Sequence, residues 1–169
     1  MTKPIALLEV QGVSRSFGGL KAVQNVSLNV PQGSLTALIG PNGAGKTTLF
    51  ALLSGFLTPD TGHVIFKGQD ITGQAPHLNA KLGMTRTFQI VQPFAAQTVR
   101  ENIAVGAHLH TASREQALAA AEQVAQRVGL ADQLDKLASD LTVAGRKRLE
   151  LARALATQPE LLLLDEVLA

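Results

Sequence analysis

Leu35-Thr-Ala-Leu-Ile39-Gly40-Pro-Asn-Gly-Ala-Gly45-Lys46-Thr47-Thr48 decides how the rest of the chain is read. Its first five residues form a short apolar run suited to a strand buried on both faces. Gly40 through Thr47 match GxxxxGK[ST] without a mismatch, and Lys46 to about Leu53 reads as a helix. A strand, a glycine-rich loop and a helix, in that order, form the context in which this pattern binds phosphate. The glycines let successive backbone N–H groups turn inward as an anion-binding nest. The helix start adds the positive end of its dipole. Gly40, Pro41, Asn42, Gly43, Ala44, Gly45, Lys46, Thr47 and Thr48 are therefore the expected phosphate-cradling residues. Within them Lys46 is placed to reach the β- and γ-phosphates, and the Thr47 hydroxyl to ligate Mg²⁺.

A second apolar run, Leu161–Leu164, leads into Asp165 and Glu166 and so puts two carboxylates at the C-terminal end of a buried strand. Ligands collect at that edge of open α/β sheets. Asp165 suits a Mg²⁺ held through water, as in the Walker B role, and Glu166, pointing the other way along the strand, suits a water to be oriented or deprotonated. Further strands are expected at Ile5–Val13, in the alternating Val26–Val30, at His63–Lys67 and at Met84–Phe88. From Thr98 the pattern turns helical. Ala117, Leu118, Ala121, Val124, Ala125 and Val128 make one apolar helical stripe. Ser113 and Gln116 have the spacing of a capping box, and a second helix is expected over Arg146–Ala156. Strands, then helices, then a strand indicate an α/β protein with a helical insertion.

Composition removes several classes. Over 169 residues, 46% are hydrophobic and only 17% charged, the reverse of a disordered chain. The longest apolar runs, Leu49–Leu53 and Ala117–Ala121, fall far short of the roughly 20 residues of a membrane span, and the first residues are too weakly apolar for a signal peptide. There is no Cys, hence no disulfide framework, thiol nucleophile or thiolate metal site. His63, His77, His108 and His110 form no HExxH pair and read as surface residues. A net charge of +2 is too small to argue for nucleic acid. The chain reads as a soluble, cytoplasmic protein.

The phosphate loop and acidic strand end, taken with Leu7–Val13, Phe17-Gly-Gly-Leu-Lys-Ala-Val23 and Thr87-Phe88-Gln89, resemble the ATP-binding cassette (ABC) ATPase family over the whole chain. The resemblance implies an α/β fold: a P-loop NTPase core with a parallel sheet, an N-terminal antiparallel β part and an α-helical insertion, incomplete at the C-terminus. It implies one incomplete domain, residues 1–169, with a core of 1–92 and 157–169 and a helical subdomain of about 93–156. Phe17 takes the place of the aromatic that stacks on adenine in this family, with core packing as the alternative. Gln89 takes that of the Q-loop glutamine, reaching Mg²⁺ and the attacking water, and Ile90–Val99 would face the channel subunits. Leu141-Thr-Val-Ala-Gly145 looks like the signature segment, usually LSGGQ. Thr142 keeps a hydroxyl, whereas Val143 and Ala144 put side chains where glycines permit close approach to a γ-phosphate. LTVAG with Arg146-Lys-Arg148, and Leu161-Leu-Leu-Leu-Asp-Glu-Val-Leu-Ala169, resemble the subgroup serving branched-chain amino acid importers. The basic triplet either adds positive potential near a shared phosphate or forms a solvated face at the helix start.

The resemblance thus implies an ATPase subunit that binds and hydrolyses MgATP to drive solute import, with branched-chain amino acids the expected cargo. Its partners would be transmembrane permease subunits and a second ATPase subunit, two copies sandwiching two nucleotides head to tail. Its place would be the cytoplasmic face of the plasma membrane, with no nucleic acid partner. In the family a switch histidine follows a further strand beyond the acidic one; none of the four His follows Asp165. The chain is accordingly expected to be an incomplete domain, marginally stable or aggregation-prone, because buried strands that lack a neighbour leave backbone groups unpaired. Two alternatives remain beside the transport ATPase: a nucleotide-binding module with little or no turnover, and a non-transport relative acting on DNA or the ribosome.

Overall fold

A computed structural model describes residues 6–165. The chain divides into two compact units, Met1–Asn79 and Ala80–Ala169. The first is built on a four-stranded antiparallel sheet in the order β2-β1-β3-β4, from β1 (Ala6–Phe17), β2 (Leu20–Pro31), β3 (Thr61–Phe66) and β4 (Gln69–Asp70). Alternation decides its buried face. Leu8, Val10 and Val13 of β1 are buried and pair with Val30, Leu28 and Val26 of β2. On the other side Leu8 pairs with Phe66 and Val10 with Val64, both buried. Both early strands run longer than expected, because β1 and β2 are joined directly by the Gly18–Gly19 turn and pair to its very end, Phe17 opposite Leu20. Helix α1 (Lys46–Leu53) buries Leu49, Leu52 and Leu53, as its apolar run anticipates. A short helix, α2 (Pro76–Lys81), lies beyond the strand signals that the sequence carries.

Leu35–Ile39 corrects the expectation of a buried strand. It carries no strand pairing among the described residues, and Leu35 and Ile39 are 98% and 90% exposed. An apolar run becomes a strand only where a neighbour supplies partners along its backbone; composition cannot supply that neighbour.

The second unit joins a parallel pair to a helical cluster. Strands β5 (Met84–Arg86) and β6 (Leu161–Leu163) pair in parallel, Met84 opposite Leu161 and Arg86 opposite Leu163. Between them in sequence come α3 (Val99–Ala107), α4 (Arg114–Val128) and α5 (Val143–Ala156). Val99, Ile103, Ala121, Leu130, Leu149 and Ala152 belong to one apolar cluster that these helices share. Thr98 starts α3 with a complete capping box: its hydroxyl accepts from the Glu101 amide, and Glu101 accepts from the Thr98 amide.

Two helix starts differ from expectation. At α4, Ser113 Oγ accepts from the Gln116 amide at 3.3 Å, but the Gln116 side chain takes the Thr111 hydroxyl at 2.6 Å rather than returning to Ser113. The box is therefore half-made, since a nearer donor has engaged the glutamine. Helix α5 begins at Val143, not Arg146, because Thr142 caps it by accepting from the Gly145 amide at 3.1 Å. Arg146, Lys147 and Arg148 consequently stand one turn inside the helix, past the end where cations oppose the dipole most.

Candidate functional site

The glycine-rich loop keeps the backbone that its spacing demands. Gly43 and Gly45 take positive φ, 80° and 88°, and Gly45 is the residue from which α1 starts. Position 45 admits no side chain: a Cβ there would lie 2.2 Å from the Ala22 carbonyl oxygen on β2. The last glycine of the loop is thus pressed against the hairpin that carries Phe17. The Lys46 ammonium bends back along the loop and donates to the Gly40 and Pro41 carbonyls at 2.7 and 2.9 Å. The Ala44 amide donates to the Pro41 carbonyl at 3.2 Å.

These residues fit an anionic phosphate. The first amides of a helix have no partner within it, the first turn of α1 holds no acidic residue, and a fixed cation stands at the loop. Pro41, Asn42, Gly43, Ala44 and Thr47 are exposed, while Gly40, Gly45, Lys46 and Thr48 are half-buried. Phe17, at the end of β1, is 43% exposed, so it is not a core residue.

Gln89, Thr142 and Asp165 belong to the second unit. Asp165 is buried, and its carboxylate meets the Arg86 guanidinium at 2.9 Å; the two side chains are only 4% and 7% exposed. Each of the two buried charges thus faces an opposite one, the arrangement that offsets the cost of taking a charge out of water. The parallel pairing also runs on past β5, for the Thr87 amide donates to the Leu163 carbonyl at 3.0 Å and the Asp165 amide to the Thr87 hydroxyl at 3.2 Å. Asp165 is thereby tied by side chain and backbone to residues immediately before Gln89. Gln89 itself is exposed. Thr142 is exposed, and its hydroxyl is engaged as the cap of α5. Glu166 lies outside the described residues.

Sequence reasoning missed the groups that hold the Gln89 segment. Glu150 on α5 accepts the Phe88 amide, and Arg153, one turn on, donates to the Gln92 carbonyl at 3.1 Å with its guanidinium 4.7 Å from the centre of the Phe94 ring. Burial raises the Glu150 pKa, opposed by the Phe88 hydrogen bond and the Arg153 charge. Burial likewise lowers that of Arg153, opposed by Glu150. The i, i+3 spacing of Glu150 and Arg153 was the available signal. Their partners, some sixty residues away in sequence, carried none.

Comparison with known proteins gives the family. The ABC transporter family profile matches residues 23–169. The high-affinity branched-chain amino acid transport ATP-binding protein LivG of Escherichia coli (strain K12) is 40% identical over 181 aligned positions, covering 98% of this chain and 70% of LivG. BraF of Pseudomonas aeruginosa, of the same description, is 38% identical with the same coverage. A solved ATP-binding cassette of an ABC transporter superposes with a TM-score of 0.89 at 32% identity, over 98% of this chain and 70% of that one. A profile matched from β2 to the last residue, and relatives aligned along nearly the whole chain, place it in the ABC transporter ATP-binding family.

Proposed function

We propose that this chain is the ATP-binding subunit of an importer, that it binds and hydrolyses MgATP, and that the cargo is branched-chain amino acids. The observation that carries the reading is the phosphate loop: the uncapped start of α1, the left-handed glycines and Lys46 converge on a place for a polyphosphate. The cargo follows from LivG and BraF, whose descriptions name branched-chain amino acid transport. Those relatives serve transport, which favours this reading over a role on DNA or the ribosome.

Gly40 to Thr48 wrap the phosphates, with Lys46 moving from the Gly40 and Pro41 carbonyls onto phosphate oxygens. Thr47 would offer its hydroxyl to Mg²⁺ in the first unit; in the second, Asp165, now paired with Arg86, would offer a carboxylate to the metal, and Gln89 and Glu166 would orient the attacking water. Phe17 stacks on the adenine, and Thr142 faces the nucleotide held by a second ATPase subunit. ATP, when bound, supplies the γ-phosphoryl group transferred to water. The shared apolar cluster of α3–α5 supports reading residues from about 93 to 156 as the helical subdomain. No helix among the described residues is long and apolar enough to cross a membrane. The likeness to LivG and BraF supports placing the chain on the cytoplasmic face of the plasma membrane, against transmembrane permease subunits.

Binding of a fluorescent ATP analogue with Mg²⁺, wild type against Lys46→Ala, tests the reading. Saturable binding that disappears in the variant is expected. Equal binding by both proteins would sink it.

A further inference from the structure

A ring that stacks on a base must be held in one orientation before the base arrives, or ordering it subtracts from affinity. Phe17 stands at the end of a hairpin, beside Gly18 and Gly19, where an added Cβ would meet nothing within 4 Å. Arg15, two residues back on the same strand, reaches the ring: its guanidinium carbon sits 5.1 Å from the centre of the Phe17 ring.

The guanidinium is itself gripped. Its Nη1 donates to Asp60 Oδ1 at 2.8 Å and to the Thr58 carbonyl at 3.1 Å. The second carboxylate oxygen of Asp60 accepts the Ser16 amide at 2.8 Å, and the Asp60 amide donates to the Ser14 carbonyl at 2.8 Å. One aspartate from the loop before β3 therefore fixes both the cation and the backbone of the residue preceding Phe17. The same stretch of hairpin abuts the phosphate loop. Arg15 pairs with Val23, and a Cβ at Gly45 would meet the Ala22 carbonyl oxygen at 2.2 Å and Val23 Cγ2 at 3.6 Å. Phe17 is 43% exposed even with Arg15 against its ring, which leaves surface for a purine.

We infer that Arg15, locked by Asp60, is a positioning residue for the nucleotide base: it holds the Phe17 ring as a preset platform at the rim of the phosphate loop. The inference rests on Phe17 being the base contact. Its consequence is selective, because a platform for the base affects ATP and not a ligand made of phosphates alone.

Isothermal titration with MgATP and, separately, with inorganic tripolyphosphate and Mg²⁺ tests it on wild type, Arg15→Gln, Arg15→Lys, Asp60→Asn, Phe17→Ala and the Arg15→Gln/Phe17→Ala double variant. Arg15→Gln and Asp60→Asn are expected to weaken ATP binding about three- to tenfold, the range of a cation–π contact, with tripolyphosphate affinity unchanged. Arg15→Lys keeps the cation without the two-point grip and should fall between; it carries the test if Arg15→Gln does not fold. The double variant should bind ATP no more weakly than Phe17→Ala. Parallel losses for ATP and tripolyphosphate, or additive losses in the double variant, would overturn the inference. Wild-type ATP affinity in Phe17→Ala would remove the base-contact reading and this inference with it. Weakened Phe17→Ala beside unchanged Arg15 and Asp60 variants would overturn the positioning role alone.

Discussion

At Gly45 two demands meet on one backbone. Its φ of 88° is left-handed, and the Ala22 carbonyl occupies the space a side chain would need. Gly43 shares the first demand with φ 80° but not the second, since a Cβ there meets nothing within 4 Å. Gly43→Ala should therefore cost about 1–2 kcal/mol, the conformational penalty alone. Gly45→Ala should cost clearly more and displace the loop from the hairpin. Thermal melts of the two variants check the order, and equal losses would show that the close approach to β2 is not a constraint. Glu150 supplies a prediction of a different kind. Burial raises its pKa above the usual glutamate value of 4.5, so the folded chain holds the proton more tightly than the unfolded one. The unfolded state then binds fewer protons, and stability falls as pH climbs from 4.5 through the raised value. Glu150→Gln keeps an oxygen for the Phe88 amide and has no charge to bury. Its denaturant stability is expected to lose that downward slope, and a slope equal to wild type would disprove the account.

Elements show how local signals and packing divide the work. The stripe from Ala117 to Val128 reads as a helix in sequence and is one, buried at Ala117, Ala121, Val124 and Ala125. The start of α5 depended on something smaller. Thr142 has a hydroxyl three residues before an amide it can accept, and that bond adds a turn to the helix. Thr98 starts α3 in the same way, and there Glu101 completes the box. Core contacts outweigh caps in energy. Leu149 is fully buried on α5 within the cluster shared with α3 and α4. Leu149→Ala should cost about 2–5 kcal/mol, enough to threaten a domain whose total stability is of order 5–15 kcal/mol. Chemical denaturation measures the loss, and a cost below about 1 kcal/mol would mean that the cluster relaxes to fill the space.

For the molecule as a whole, the two apolar runs that read alike in sequence met different fates. Leu161–Leu163 found Met84–Arg86 and became a strand. Leu35–Ile39 found no strand among the described residues and stands exposed. Leu35→Lys is accordingly expected to leave stability within about 0.5 kcal/mol, as for other surface changes, while reducing binding of a hydrophobic dye. A large loss of stability would show that Leu35 is packed in solution. The glycine-rich loop, the helix it starts, the strand end at Asp165 and the family were all legible in order along the chain, because each is written in neighbouring residues whose spacing obeys local geometry. The grip of Asp60 on Arg15 spans 45 residues, and the pairing of Arg86 with Asp165 spans 79. No spacing rule encodes such partners. Which charges are buried together, and which apolar run is covered, depends on the elements that folding brings alongside, and that only the assembled chain specifies.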